Sequence, residues 1–268
     1  MQDDWNDRCV RLRVERGVAE LVLDRPQTGN RLDAEMARTL AEAADWLAER
    51  SFRVLLLRAE GDRFCVGGAI DAFAAQLARG GSLADLLGEG LPFFHRFIRF
   101  VGGLRQPVVS AVQGAVGGGG IGLALCADLV LASDDMKLRG GYAALGLTPD
   151  LGTSWQLARL AGPRRAAQIL MTNRAYDARE CLAMGLVSDL VAPAELSARA
   201  GQAARALADG PAAALARIKR LVVQAGEHSL ERHLDLEETL MREAAAEPAV
   251  AEGVRAFMER RPPLFRED

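Results

Sequence analysis

The chain has 268 residues, half of them hydrophobic and about a quarter charged, with a formal net charge of −3. That length holds one large domain, or one domain with a smaller appendage, and buries a sizeable core. The charge balance, with no long basic run, gives no footing for nucleic acid. The four cysteines, Cys9, Cys65, Cys126 and Cys181, lie without metal-ligand spacing and read as reduced thiols of a cytoplasmic protein. The start, "MQDDWNDR", is acidic and polar and shows no secretory signal. The most apolar long window, Ala111 to Ser133, contains Asp128 and many glycines, which argues against a membrane span.

Along the chain, "CVRLRVER" and "VAELVLDR" read as two short strands joined by a turn at Arg16-Gly17. "DAEMARTLAEAADWLAER" follows, with Met36, Leu40, Ala43, Ala44 and Leu47 at helical spacing and Asp33 near its start. "RVLLLRAE" reads as a buried strand, apolar on both faces. "PVVSAVQG" is another, with Pro107 at its first position, and "DLVLAS" is a third. Strands alternating with helices imply a largely parallel sheet with crossover helices. Beyond Pro163 the chain turns to alanine-rich helix, interrupted by the short apolar run "GLVSDLV". A division into an α/β core over 1–192 and a helical region over 193–268 follows.

Between two apolar runs stand four consecutive glycines, Gly117 to Gly120, with Gly122 close behind. Each interior glycine costs a helix roughly 1 kcal/mol relative to alanine. Gly117, Gly119 and Gly122 formally satisfy G-x-G-x-x-G, but the acidic residue expected about 20 positions on is missing, since Asp134 and Asp135 come too early. No Lys-Ser/Thr follows, so a phosphate loop is excluded as well. One explanation is a tight turn with close strand–helix packing. A second loop, "AEGDRFCVGGAIDAF", also leaves a buried strand and offers small residues before a helical run. Two such loops can each aim one backbone N–H at a common point, forming an oxyanion hole suited to a thioester carbonyl as it becomes an enolate.

Five segments in order carry a resemblance: "LDRPQTGNRLDAEM", "GDRFCVGGAI", "PVVSAVQGAVGGGGIGLALCADLVLA", "LGLTPDLGTSWQLARLAG" and "GLVSDLV". Together they resemble the crotonase superfamily, the enoyl-CoA hydratase/isomerase family, over nearly the whole chain. The resemblance implies an α/β fold, a ClpP/crotonase spiral of ββα units, with a C-terminal helical region that makes trimers or hexamers. It implies acyl-CoA thioester substrates, with coenzyme A as part of the substrate and no separate cofactor. No cluster with ligand spacing suggests a metal. Gly68 and Gly119 match the oxyanion donors. By the same resemblance Arg25, Val66 and Gly68 would meet the CoA moiety, and so would Phe257, Arg260 and Arg261, from a tail reaching toward an adjacent subunit.

The departures narrow the chemistry. Hydratases of this family hold water between two glutamates, whose matching positions here are Gly122 and Gly141, so the water-activating pair is missing. Asp150 is the acidic residue left, at a position where some family isomerases carry a base and 4-chlorobenzoyl-CoA dehalogenases carry a nucleophile. Its bland alternative is an N-cap of the helix "LGTSWQLARL". Leu145, Leu147 and Leu151 supply apolar surface that would raise its pKa if they face inward. His95 matches a functional histidine of those dehalogenases, or packs on an aromatic helix face with Phe94 and Phe97. Tyr142 stands where the dehalogenases place a tryptophan bonded to the aspartate, or serves as pocket wall. His228 and His233 read as solvated. The resemblance points first to an enoyl-CoA isomerase with Asp150 as base. An aromatic acyl-CoA dehalogenase or hydrolase, a hydratase and a non-catalytic acyl-CoA binder are the alternatives.

Overall fold

The computed structural model describes residues 3–265 and begins with three antiparallel strands, β1 (Asp3–Asp7), β2 (Val10–Glu15) and β3 (Val18–Leu23). The turn between β2 and β3 is Arg16-Gly17, both at positive φ (49° and 79°), as hairpins of two-residue loops require. β1 was not legible as a strand: it is a polar edge strand, the kind whose charges discourage further pairing. Helix α1 (Ala34–Ala48) is capped by Asp33, whose carboxylate accepts from the Met36 N–H at 3.0 Å. Met36, Leu40, Ala43, Ala44 and Leu47 are all buried, as their spacing implies.

From there the chain repeats one move. β4 (Val54–Ala59) joins the large sheet parallel to β3, Cys65 then bridges to Val116, and helices α2 (Ile70–Ala78) and α3 (Leu83–Gly103) follow. β5 (Val108–Val112) pairs with β4, β6 (Ala115–Gly117) starts a second sheet, and α4 (Gly119–Leu125) follows. β7 (Leu129–Ser133) pairs with β5, β8 (Lys137–Arg139) pairs with β6, and α5 (Thr153–Ala161) and α6 (Pro163–Thr172) follow. Each unit thus gives one strand to each of two sheets before its helix, which is a spiral of ββα units. β9 (Ala175–Asp177), α7 (Ala178–Ala183) and β10 (Asp189–Val191) complete it. The sheet orders are β1-β2-β3-β4-β5-β7-β10 and β6-β8-β9.

The main core lies between the large sheet, α1 and the spiral's inner helices, with Leu21, Met36, Leu55, Phe97 and Ile121 fully buried. A second apolar layer covers the other face of the sheet, where Ala200, Ala204 and Ala208 of α8 (Leu196–Ala208) meet Val54, Leu56 and Val109. Three further helices follow, α9 (Ala212–Ala225), α10 (Leu230–Ala245) and α11 (Pro248–Glu259). Lys219 ties α9 to the core, its ammonium 2.8 Å from the Asp128 carboxylate and 2.9 Å from the Gln106 carbonyl. His228 and His233 differ from the expectation of solvated side chains. Their rings pack 5.9 Å apart and both Nδ1 atoms are buried, because the α9–α10 turn folds them together. All four cysteines are free, and among the described residues no helix is long and apolar enough to cross a membrane.

Candidate active site

The two glycine-bearing loops pack backbone against backbone. A Cβ on Gly117 would stand 2.7 Å from the Val66 carbonyl oxygen, and one on Gly120 would stand 2.6 Å from that of Cys65. Only glycine allows this approach. Gly118 adds a positive φ of 49° and donates its N–H to the Arg139 carbonyl at 3.2 Å, which turns the chain into α4. Gly119 is then the first residue of that helix, where backbone N–H groups have no intrahelical acceptor. On the other loop, Leu32 donates to the Gly67 carbonyl and accepts from the Ala69 N–H, a parallel bridge that turns the N–H of Gly68 away from the pairing. Gly68, Gly119 and Val66 line one cavity of about 740 Å³.

Asp150 reaches the same cavity through an unusual turn. Leu151 and Gly152 both have positive φ (49° and 74°), and Leu151 is fully buried. This turn brings the Asp150 carboxylate over Gly119, where a Cβ would stand 2.9 Å from Oδ1. Asp150 is not the helix cap: α5 begins at Thr153 after Gly152, and no side chain caps it. The carboxylate instead accepts a 2.6 Å hydrogen bond from the Tyr142 hydroxyl. Thr153, fully buried, places its own hydroxyl 3.4 Å from the same phenolic oxygen. With the Tyr142 proton committed to Asp150, Thr153 is the donor in that longer contact. Its part was not legible in the sequence, although its i, i+3 spacing from Asp150 was visible.

Burial pushes the Asp150 carboxyl above the ordinary aspartate range, against the opposing effects of the Tyr142 hydrogen bond and the His95 charge. Burial and the Asp150 charge raise the Tyr142 phenol well above its usual value, so it remains a proton donor at neutral pH. The Cys65 thiol, also buried, is pushed up to about 12 and is inert as a nucleophile. His95, half-buried on α3, lines the cavity with Asp150, and so do Leu145, Leu147 and Leu151.

The model matching residues 13–268 is that of the enoyl-CoA hydratase/isomerase family. The chain belongs to this family. It is 34% identical over 253 residues to the 1,2-epoxyphenylacetyl-CoA isomerase of Escherichia coli, covering 94% of this chain and 96% of that protein. It is 31% identical to the trans-2-decenoyl-[acyl-carrier-protein] isomerase of Streptococcus mutans, covering 94% and 95%. An enoyl-CoA hydratase crystal structure from a Polaromonas species superposes with a TM-score of 0.87 at 28% identity, covering 96% and 99%. The enoyl-CoA hydratase/isomerase fold therefore accounts for the spiral, and the family for an acyl-CoA-processing enzyme.

The two glycines that the resemblance aligns with hydratase glutamates would take a side chain differently: the space at Gly122 is filled, while at Gly141 only the backbone conformation is unfavourable. A Cβ on Gly122 would overlap the Leu151 carbonyl oxygen, and Gly141 has a φ of 81°. Arg25 does not line the cavity. Its guanidinium, only 10% exposed, holds Asp33 at 2.8 Å, the Arg31 carbonyl at 2.9 Å and Glu35 at 3.4 Å. This network engages both terminal nitrogens of Arg25 within the chain, while its buried Nε has no hydrogen-bond partner. Phe257, Arg260 and Arg261 also lie outside the cavity of the single chain. Phe257 is 82% exposed on α11, Arg260 ends that helix at positive φ, and Arg261 is bound to Glu252 at 2.7 Å.

Proposed function

We propose that this protein is an enoyl-CoA isomerase that moves a double bond by proton transfer through a thioester enolate. The observation that carries the reading is Asp150, desolvated, oriented by Tyr142 and lying over Gly119 in a cavity that also holds Gly68. The N–H groups of Gly68 and Gly119 donate to the thioester oxygen and stabilise the developing enolate, each by roughly 3–4 kcal/mol. Asp150 takes a proton from one carbon of the acyl chain, the electron pair passes through the enolate, and the same carboxyl returns the proton to another carbon. A raised carboxyl pKa lessens the mismatch with a carbon acid. The step changes no oxidation state, so it calls for no nicotinamide, and the two N–H groups take the enolate charge that a Lewis acid would otherwise take.

The glycines at 122 and 141, which supply no carboxylate to hold a water, weigh against hydration. The alternative of Asp150 as nucleophile on an aromatic acyl group, with His95 assisting water, draws on one observation: both side chains line the same cavity. We take the working form to be a homotrimer or a dimer of trimers in the cytoplasm. Apolar side chains left exposed on the last three helices, such as Val222, Met241 and Phe257, favour assembly. The test is a panel of 2-enoyl and 3-enoyl CoA thioesters followed by NMR in deuterated water. Double-bond migration with solvent deuterium entering the acyl chain supports the reading. Chloride release from 4-chlorobenzoyl-CoA without migration overturns it in favour of the alternative.

A further inference from the structure

We propose that Thr153 is a positioning residue of this site, whose hydroxyl donates to the Tyr142 phenol oxygen and so directs the phenolic proton to the Asp150 carboxylate. The proposal deepens the isomerase reading and rests on it, since it takes Asp150 as the base. Asp150, Leu151, Gly152 and Thr153 form one tight turn, closed by the Thr153 N–H on the Asp150 carbonyl at 2.8 Å. Leu151 and Gly152 both have positive φ, and the two ends of the turn meet the same phenol. Asp150 Oδ1 stands 2.6 Å from the phenol oxygen, while the Asp150 backbone nitrogen and Thr153 Oγ1 each stand 3.4 Å from it. A phenol has one proton to give and lone pairs to offer. Here the proton goes to Asp150, and the two longer contacts bring donors to the oxygen.

The usual structural use of a threonine hydroxyl at a helix start is capping. Thr153 opens α5 but caps nothing: the residue before it is Gly152, and no side chain caps that helix. The fully buried hydroxyl has the Tyr142 oxygen as its partner instead, and a buried hydroxyl left without one is costly. Burial and the Asp150 charge raise the phenol pKa, and the Thr153 contact opposes that rise, as a donor to the phenol oxygen must. Such a donor polarises the phenolic O–H bond, so the next hydrogen bond in the chain strengthens. The series Thr153, Tyr142, Asp150 therefore favours the charged carboxylate, against the burial that raises its pKa. A group that must both take and return a proton is served by that balance. The other titratable groups facing Asp150 are His95 from α3 and the buried Cys65, and Asp33, Lys137 and Arg139 line the same cavity.

The test is carbon-13 NMR of protein labelled at its aspartate carboxyls, with Asp150 assigned from Asp150→Asn, beside the pH profile of kcat/KM for double-bond migration. In Thr153→Val, which keeps the side-chain shape, the Asp150 titration is expected to move up by about half a unit. The acid limb of the pH profile should move with it. Thr153→Ser restores the hydroxyl and should titrate like the parent. If Thr153→Val does not fold, Thr153→Ala set against Thr153→Ser makes the same comparison. On a Tyr142→Phe background Thr153→Val should add nothing, because the link is gone. On a His95→Gln background the shift should be as large as in the parent. An Asp150 titration unchanged in Thr153→Val overturns the proposal, and so does a shift that persists undiminished without the Tyr142 hydroxyl. Absence of migration with every enoyl thioester would sink the isomerase reading, while the NMR titration would still read the Thr153 effect, so the two failures are distinguishable.

Discussion

Gly122 and the carbonyl oxygen of Leu151 stand so close that a Cβ on Gly122 would overlap that oxygen. The need for glycine at 122 and the inward placement of Asp150 therefore share one cause. The left-handed Leu151-Gly152 turn occupies the space that a longer side chain at residue 122 would need, and it carries Asp150 over Gly119.

Gly122→Glu is accordingly expected to destabilise the protein, by about 1–3 kcal/mol as overpacking does, and not to create a hydratase. Adding Gly141→Glu brings a second penalty of about 1–2 kcal/mol for a side chain at positive φ. Urea denaturation measures the first effect, and loss of the crotonyl-CoA absorbance measures hydration. A stable double variant that hydrates crotonyl-CoA would refute the coupling of Gly122 to the Leu151 turn.

Asp150→Asn keeps the shape of the side chain and an acceptor for Tyr142, but removes the base. Exchange of α-protons in deuterated water should fall by on the order of 10²–10⁴, the usual contribution of a general base. Affinity for saturated CoA esters should change little. Exchange at the parent rate would place the base elsewhere, with His95 and Tyr142 the next candidates.

The same variant has a pH signature. Asp150 is an acid whose folded pKa lies above the ordinary value of 3.8, so the folded state binds its proton more tightly than the unfolded chain does. The native protein therefore loses stability as pH rises from the unfolded pKa through the raised folded one, and stays at that lower level above it. Replacing the carboxyl by an amide removes this loss. Asp150→Asn should melt higher than the parent at pH 7, with the gain shrinking as pH falls below the folded pKa. A gain that grew toward acid pH would have the wrong sign for a desolvated carboxyl.

The large elements were legible because their cause is local. β4 and β5 announce themselves as apolar runs, and α1 by its spacing and by Asp33 at its start. The three-residue strands β6, β8 and β9 were not, since their pairing depends on the spiral bringing distant segments together. Asp150 could be singled out as the acid remaining once Gly122 and Gly141 were noticed, and Tyr142 as a donor within reach of it. Thr153 could not, because its position depends on a positive φ at Leu151. Arg25 shows the opposite limit. A strand-end arginine in "LDRP" looks free in sequence, while its partners Asp33 and Glu35 come from the start of the next helix.

Arg25→Ala should therefore act on folding. Asp33 is held below its usual pKa: burial alone would raise it, but the hydrogen bonds from Arg25 and the Met36 N–H outweigh that. Removing the guanidinium leaves a half-buried carboxylate short of a partner, at a cost on the order of 3 kcal/mol, read by urea denaturation. Calorimetry should find free CoA bound within about twofold of the parent. A stable Arg25→Ala protein that no longer binds CoA would instead assign Arg25 to the phosphates.

The last prediction concerns the C-terminal region. On α11 and just after it, Phe257, Met258 and Leu264 are 82%, 75% and 77% exposed, an apolar edge that a monomer has no means to cover. Arg261 beside it is held by Glu252 at 2.7 and 3.0 Å, and this pairing holds Glu252 down to about 2 and fixes the tail against α11. A fixed apolar edge next to fixed charge suits a contact between copies of the chain. Sedimentation velocity should find a trimer or larger species for the parent and a shift toward monomer for Phe257→Ser. If that tail completes the CoA site of an adjacent subunit, CoA affinity falls in step with the loss of the oligomer. A monomeric Phe257→Ser protein with parental CoA affinity would show that each chain binds CoA alone.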